Sequence, residues 1–179
     1  YACVNFALTK LSSGDLSIVQ LYEEILKPSL NNTNCDSNEK QLCIWREHVR
    51  SSIVRTIIEN CYPFVIKECG KSYSTHSDNK VIVLCPDGEY HEIGARMVTD
   101  YFALSGFDAV FIGSSTPKEE FINVIDVLKP IFIVISVTNY FNLVSAKSTI
   151  IAIRQKSNNG VKIIVGGNAF RSNPEAYRE

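Results

Sequence analysis

The run Asp87-Gly88-Glu89-Tyr90-His91-Glu92-Ile93-Gly94 sets an acid two residues before a histidine and a glycine three residues after it. The run follows the apolar segment Val81-Ile82-Val83-Leu84-Cys85. His91, one of three histidines, is therefore expected on a loop at the carboxyl edge of a sheet, where α/β folds bind cofactors. Two further features fall at strand ends. Ser136-Val137-Thr138 closes a third apolar run with 41 residues between it and Gly94, and Gly166-Gly167 follows a fourth with 27 residues between it and Thr138. Taken singly, a loop histidine near acids is a surface residue, Gly-Gly a turn, and Ser-x-Thr a cap for the next helix.

The elements that must position these residues change character along the chain. Residues 1 to about 73 have helical periodicity. Ile18, Leu21, Tyr22, Ile25 and Leu26 recur at helical spacing after the break at Ser13-Gly14-Asp15, with Pro28 late in that stretch. A polar loop is expected at 31–38. A third helix then carries Trp45, Val49, Ile53, Val54, Ile57 and Ile58, and a shorter fourth helix over 62–69 ends at Gly70. Short connections between such helices predict an antiparallel four-helix bundle. On the third helix His48 shares a face with Ser51, Ser52 and Arg55. That face is either a polar ledge for a ligand or simply solvated.

Residues 74–80 are polar and turn-rich and predict a linker. Beyond them, apolar runs at 81–85, 109–112, 131–135 and 161–165 are short and β-branched, as expected of strands covered on both faces. Helical stretches alternate with them. Thr116-Pro117-Lys118-Glu119 has the pattern of a capping box, and Gly106 and Gly160 are placed to close helices. The alternation predicts a doubly wound, flavodoxin-like (Rossmann-like) parallel sheet over 80–179. A fifth strand is expected after residue 179, and both ends of the chain have the look of cuts, so a further domain is expected outside it.

Composition narrows the functions. The 179 residues are 45% hydrophobic and 21% charged with a net charge of −1, which gives no reason to expect nucleic acid or an anionic membrane as a partner. No apolar run approaches the roughly 20 residues needed to span a bilayer. The six cysteines contain no Cys-x-x-Cys pair, so reduced thiols in a cytoplasmic protein are expected rather than a zinc site or a disulfide framework. No Ser/His/Asp or Cys/His arrangement for hydrolysis stands out.

The ordered triple of Glu89-x-His91-x-x-Gly94, Ser136-x-Thr138 and Gly166-Gly167 resembles the cobalamin-binding domain family, in which Asp-x-His-x-x-Gly, Ser-x-Leu or Ser-x-Thr, and Gly-Gly recur at similar separations. The resemblance covers residues 81 to about 170. It implies that His91 is the lower axial ligand of cobalt, replacing the cofactor's own base, and that Glu89 holds its second nitrogen. It implies that Tyr90, Glu92, Ile93 and Gly94 lie against the cofactor. Ser136 and Thr138 would line the channel for the nucleotide tail, and Gly166 and Gly167 would let the backbone approach the buried ring.

The helical half resembles the bundle that covers the cofactor's upper face in many relatives, through Gly14-Asp15, Leu21-Tyr22, Pro28-Ser29-Leu30 and Glu47-His48. Ile44, Glu47 and His48 are the residues this implies as upper-face contacts.

Glu89 at the acid position, Arg96-Met97 and the run Gly166 to Phe170 look most like the cobalamin modules of light-responsive transcriptional regulators. Photosensing relatives place Trp-His ten residues before Glu-His, where this chain has Ser37-Asn38; its one tryptophan, Trp45, is expected to pack inside the bundle, with an upper-face shield as the alternative. The expectation is a histidine-ligated cobalamin module with a sensory or regulatory role rather than a complete enzyme. The alternatives are a corrinoid methyl carrier for a separate methyltransferase, and a haem-binding or apo relative of the same fold. The upper ligand is left open, as is assembly into a homo-oligomer or with an output domain.

Overall fold

The computed structural model describes residues 2–31, 40–70, 79–158 and 160–177. The expected polar loop at 31–38, apart from Asn31, most of the linker at 74–80, and the Ser37-Asn38 position lie outside the described residues. The chain divides into two compact units, residues 1–70 and 71–179.

In the first unit, α1 (Ala2–Ser13) leads through the left-handed Gly14 into a continuous helical rod. This rod comprises α2 (Ile18–Gln20), a π-helical stretch Leu21–Leu26 and α3 (Lys27–Asn31). Ser17 and Gln20 close a capping box at its start, and Glu68 accepts a bond from the Ile18 N–H at 2.9 Å. The helices expected as third and fourth run together as α4 (Lys40–Cys69), with Pro63 inside. An interior proline costs a helix about 3 kcal/mol. Here Val54, Ile57, Ile58, Cys61, Val65 and Cys69 form one buried stripe across it, and the continuous burial offsets that cost. Among the described residues of α4, the buried ones lie in its later half. Trp45 is 62% exposed, so it does not fill the bundle interior as predicted, and Ile44 and Val49 are exposed beside it. Cys43 is disulfide-bonded, which corrects the expectation of wholly reduced thiols, while Cys3 and Cys85 carry free thiols.

The second unit is a four-stranded, all-parallel sheet of β1 (Lys80–Pro86), β2 (Asp108–Thr116), β3 (Phe132–Ser136) and β4 (Lys162–Gly166), in the order β2-β1-β3-β4. This is the doubly wound order the alternation predicts. The inner strands β1 and β3 are the most buried. Ile82 and Leu84 point into the core shared with α6 (Lys118–Leu128) and α7 (Leu143–Ser157). Val81, Val83 and Cys85 point the other way, towards Ala95 and Val98 of α5 (Ile93–Leu104). Lys162 and Ile164 on the edge strand β4 are exposed, so the expectation of cover on both faces fails there.

Two local predictions also fail. β2 runs on to Thr116, whose hydroxyl donates back to the Gly113 carbonyl at 3.1 Å; α6 therefore starts behind Pro117 with no side-chain cap. Asn158, in the left-handed region, ends α7 in place of Gly160.

Candidate functional site

Strand order reverses between β1 and β3, since β1 leads to β2 on one side while β3 leads to β4 on the other. The carboxyl ends of these two strands therefore form the crevice in which such sheets bind ligands. After Pro86 the chain turns through the left-handed Gly88, and the Glu89 N–H closes the turn on the Pro86 carbonyl at 2.9 Å. The turn sends the Glu89 side chain inward, with 0% exposure, while Tyr90 and His91 on either side of the next peptide remain exposed.

Glu89 spans the crevice. Its Oε1 accepts the main-chain N–H of His91 at 3.0 Å and lies 2.5 Å from His91 Nδ1. Its Oε2 accepts the main-chain N–H groups of Thr138 and Asn139, both at 2.9 Å, and the Asn142 side-chain amide at 3.1 Å. Burial pushes the carboxyl upward, but the peptide N–H groups of Asn139 and His91, then the side chains of Asn142 and His91, outweigh it and hold Glu89 below its ordinary range. The group is thus a carboxylate. It engages Nδ1, so Nε2 is the ring nitrogen not taken up by Glu89, on a side chain 59% exposed.

The longer acid side chain therefore does reach the imidazole. Thr138 meets the site through its peptide rather than its hydroxyl, and the helix-capping role open to Ser-x-Thr is taken by Asn139, whose side chain accepts the Phe141 N–H at 3.1 Å. Ser136, half-buried, pairs with Gly166 across the β3–β4 ladder.

The two glycines at the end of β4 differ in kind. A Cβ on Gly167 (φ 104°) would stand 2.2 Å from the Val137 carbonyl oxygen, so this glycine lets two stretches of protein backbone touch. A Cβ on Gly166 or on Gly94 would meet nothing within 4 Å. Both positions border open space at the carboxyl edge, room that suits a flat ligand held against main chain.

Around the loop, Glu92 and Arg96 approach at 3.4 Å, and the Arg96 guanidinium lies 5.2 Å from the centre of the Phe111 ring, fixing the first turn of α5. Ile93 is half-buried at the start of that helix. Burial, reinforced by Glu89 and Glu92, pushes the Cys85 thiol up to about 12, which leaves it a protonated core residue rather than a nucleophile. Ile44, Glu47 and His48 are exposed on α4 of the helical unit.

Asn139, Asn142 and Ser115 are the participants that sequence reasoning missed. The polar run Thr138-Asn139 with Asn142 after a strand end was the available signal for the first two. Among the described residues no three His, Cys, Asp or Glu side chains are grouped to hold a metal ion by themselves, and no helix is long and apolar enough to cross a membrane.

A family model described as the B12 binding domain matches residues 79–179. Comparison with curated protein sequences finds no match. Among solved structures, the chain is similar to the monomethylamine corrinoid protein of Methanosarcina barkeri, with TM-score 0.75 and 16% identity over 92% of this chain and 76% of that one. A cobalamin-binding protein from Desulfitobacterium hafniense has TM-score 0.49 and 16% identity over 94% of this chain and 87% of that one. The methanol:cobalamin methyltransferase complex of Methanosarcina barkeri has TM-score 0.48 and 17% identity over 85% and 56%.

Proposed function

The chain belongs to the B12-binding domain family, with cobalamin as its cofactor, and from that premise we propose that His91 Nε2 is the lower ligand of cobalt in a form whose own base is displaced. The observation that carries this reading is the pairing of His91 Nδ1 with a buried carboxylate, which leaves only Nε2 to donate. A single imidazole suffices for a metal whose other ligands arrive with its macrocycle. Gly94 and Gly166 supply room against the backbone, and Tyr90, Glu92 and Ile93 flank His91 in the loop. Ser136 and Thr138 border the channel assigned to the nucleotide tail. Ile44, Glu47 and His48 are assigned to the upper face. Bound cobalamin supplies a cobalt centre able to take up and release a one-carbon group; the protein's own residues bind, orient and shield it.

The use we assign is corrinoid carriage for a separate methyltransferase rather than catalysis by this chain alone. It is supported by the likeness in fold, over 92% of the chain, to a protein described as a monomethylamine corrinoid protein. A sensory role is the second reading, favoured by Glu89 at the acid position and by the Arg96-Met97 and Gly166 to Phe170 sequences. A cytoplasmic setting belongs to either reading. Reconstitution with cobalamin tests the ligand assignment: H91A is expected to return the absorption spectrum to one lacking protein imidazole, and an unchanged spectrum overturns it. Incubating the holoprotein with methyl donors and acceptors separates the two uses, since net methyl transfer favours carriage and inertness favours sensing.

A further inference from the structure

We propose that Ser115, at the end of β2, is a positioning residue that sets the loop carrying His91 for cobalt ligation. This inference rests on the histidine-ligated reading above. Ser115 lies on neither strand β1 nor β3, and none of the ordered motifs contains it. It nonetheless bonds three successive residues of the loop. Its N–H donates to the Glu89 carbonyl at 2.8 Å. Its hydroxyl accepts the Gly88 N–H at 3.1 Å and donates to the Asp87 carboxylate at 3.2 Å. Every hydrogen-bonding group of the residue except its carbonyl is thereby directed at the turn that aims Glu89 inward.

The backbone is shaped for this. β2 slips register against β1 twice, between Val83 and Leu84 and again between Leu84 and Pro86, which carries β2 two residues further than a regular ladder would. Ser115 falls within the second irregularity at φ 46°, in the left-handed region that disfavours a residue with a β-carbon. Glycine would adopt that conformation without strain, but it lacks the hydroxyl that reaches Asp87 and Gly88. A strained serine at a bulge beside a binding loop is the pattern of a residue kept for where its polar atoms fall.

S115G separates the two consequences. It relieves the backbone and deletes the hydroxyl, so the cofactor-free protein is expected to melt at or above the wild-type temperature. The affinity for added cobalamin should fall about tenfold, the low end for loss of an outer partner of a metal ligand, with a matching loss of the protein-imidazole spectrum. S115N, whose side chain tolerates the left-handed region and offers both a donor and an acceptor, should recover most of the signal. Unchanged affinity and spectrum in S115G overturn the proposal. So does a marked drop in its melting temperature, which would make Ser115 a structural residue, or failure of S115N to improve on S115G. H91A in the same series distinguishes the underlying failure: if it shares the wild-type spectrum, the ligand assignment falls and takes this inference with it. If H91A differs and S115G does not, only the role of Ser115 falls.

Discussion

One oxygen of Glu89 meets His91 twice, taking its main-chain N–H at 3.0 Å and its ring Nδ1 at 2.5 Å. The other oxygen crosses to the loop after β3. The imidazole is therefore oriented by a group that also ties the two central strands together at their carboxyl ends. Ring orientation and crevice geometry become one property of the molecule.

Replacing Glu89 should consequently cost stability even without cofactor. In E89A the donors of Thr138, Asn139 and Asn142 lose a buried acceptor, and a loss of about 3 kcal/mol is expected, within the range for stripping partners from buried polar groups. E89Q keeps the shape but turns an amide towards peptide donors, and it should lose about 2 kcal/mol. Urea denaturation of the cofactor-free protein measures both; wild-type midpoints in both variants would show that the carboxylate contributes nothing to the fold.

The same carboxylate predicts an acid limb. Its value in the folded protein lies below the ordinary 4.5. Its contribution is thus complete above 4.5 and is lost as the pH falls through the lower folded value. Stability measured from pH 7 down to pH 3 should decline more steeply in wild type than in E89Q, with the two curves converging in acid. Parallel curves would mean that Glu89 does not drive the decline.

Much of this site is legible in residue types because strand ends are legible. Short β-branched runs placed His91, Ser136 and Gly166 at one sheet edge, and parallel order then brought them together. The bonds across that edge were not legible. Asn142 and Ser115 act through loop paths set by a bulge and a capping turn, which leave no periodic trace. The Thr116 capping box was misleading because its pattern is local, whereas β2 is extended by pairing with β1. Trp45 shows the same limit in the helical unit: helical spacing identifies a face but not whether a neighbour covers it. The separate fourth helix expected over 62–69 is absent because a long buried stripe carries α4 on through Pro63.

Cys85 offers a check on the interior beside the ligand loop. With its thiol pushed up to about 12, there is no thiolate near neutrality, and any stability tied to that shift holds below 9.0 and is lost as the pH rises towards the folded value. Alkylation at pH 8 followed by peptide mass mapping should label exposed Cys3 readily and Cys85 only after denaturant is added. Equal labelling of the two in the native protein would mean that the β1 end is open to solvent.

The adjacent glycines at the end of β4 should separate folding from binding. In G167A the new methyl would lie 2.2 Å from the Val137 oxygen and within 3 Å of that residue's carbonyl carbon and nitrogen, all main-chain atoms that hold the β3 end. The left-handed φ of 104° adds strain. A loss above about 4 kcal/mol, the level reserved for severe local conflict, should leave little folded protein. G166A places its methyl in open space, so the cofactor-free protein should keep its wild-type melting temperature. If that space receives the corrinoid, the same methyl must push the cofactor off the backbone, and retention of added cobalamin through gel filtration should fall. A G166A protein that melts normally and retains cobalamin as wild type does would move the cofactor away from the β4 end. A G167A protein of normal stability would contradict the close approach of Gly167 to Val137.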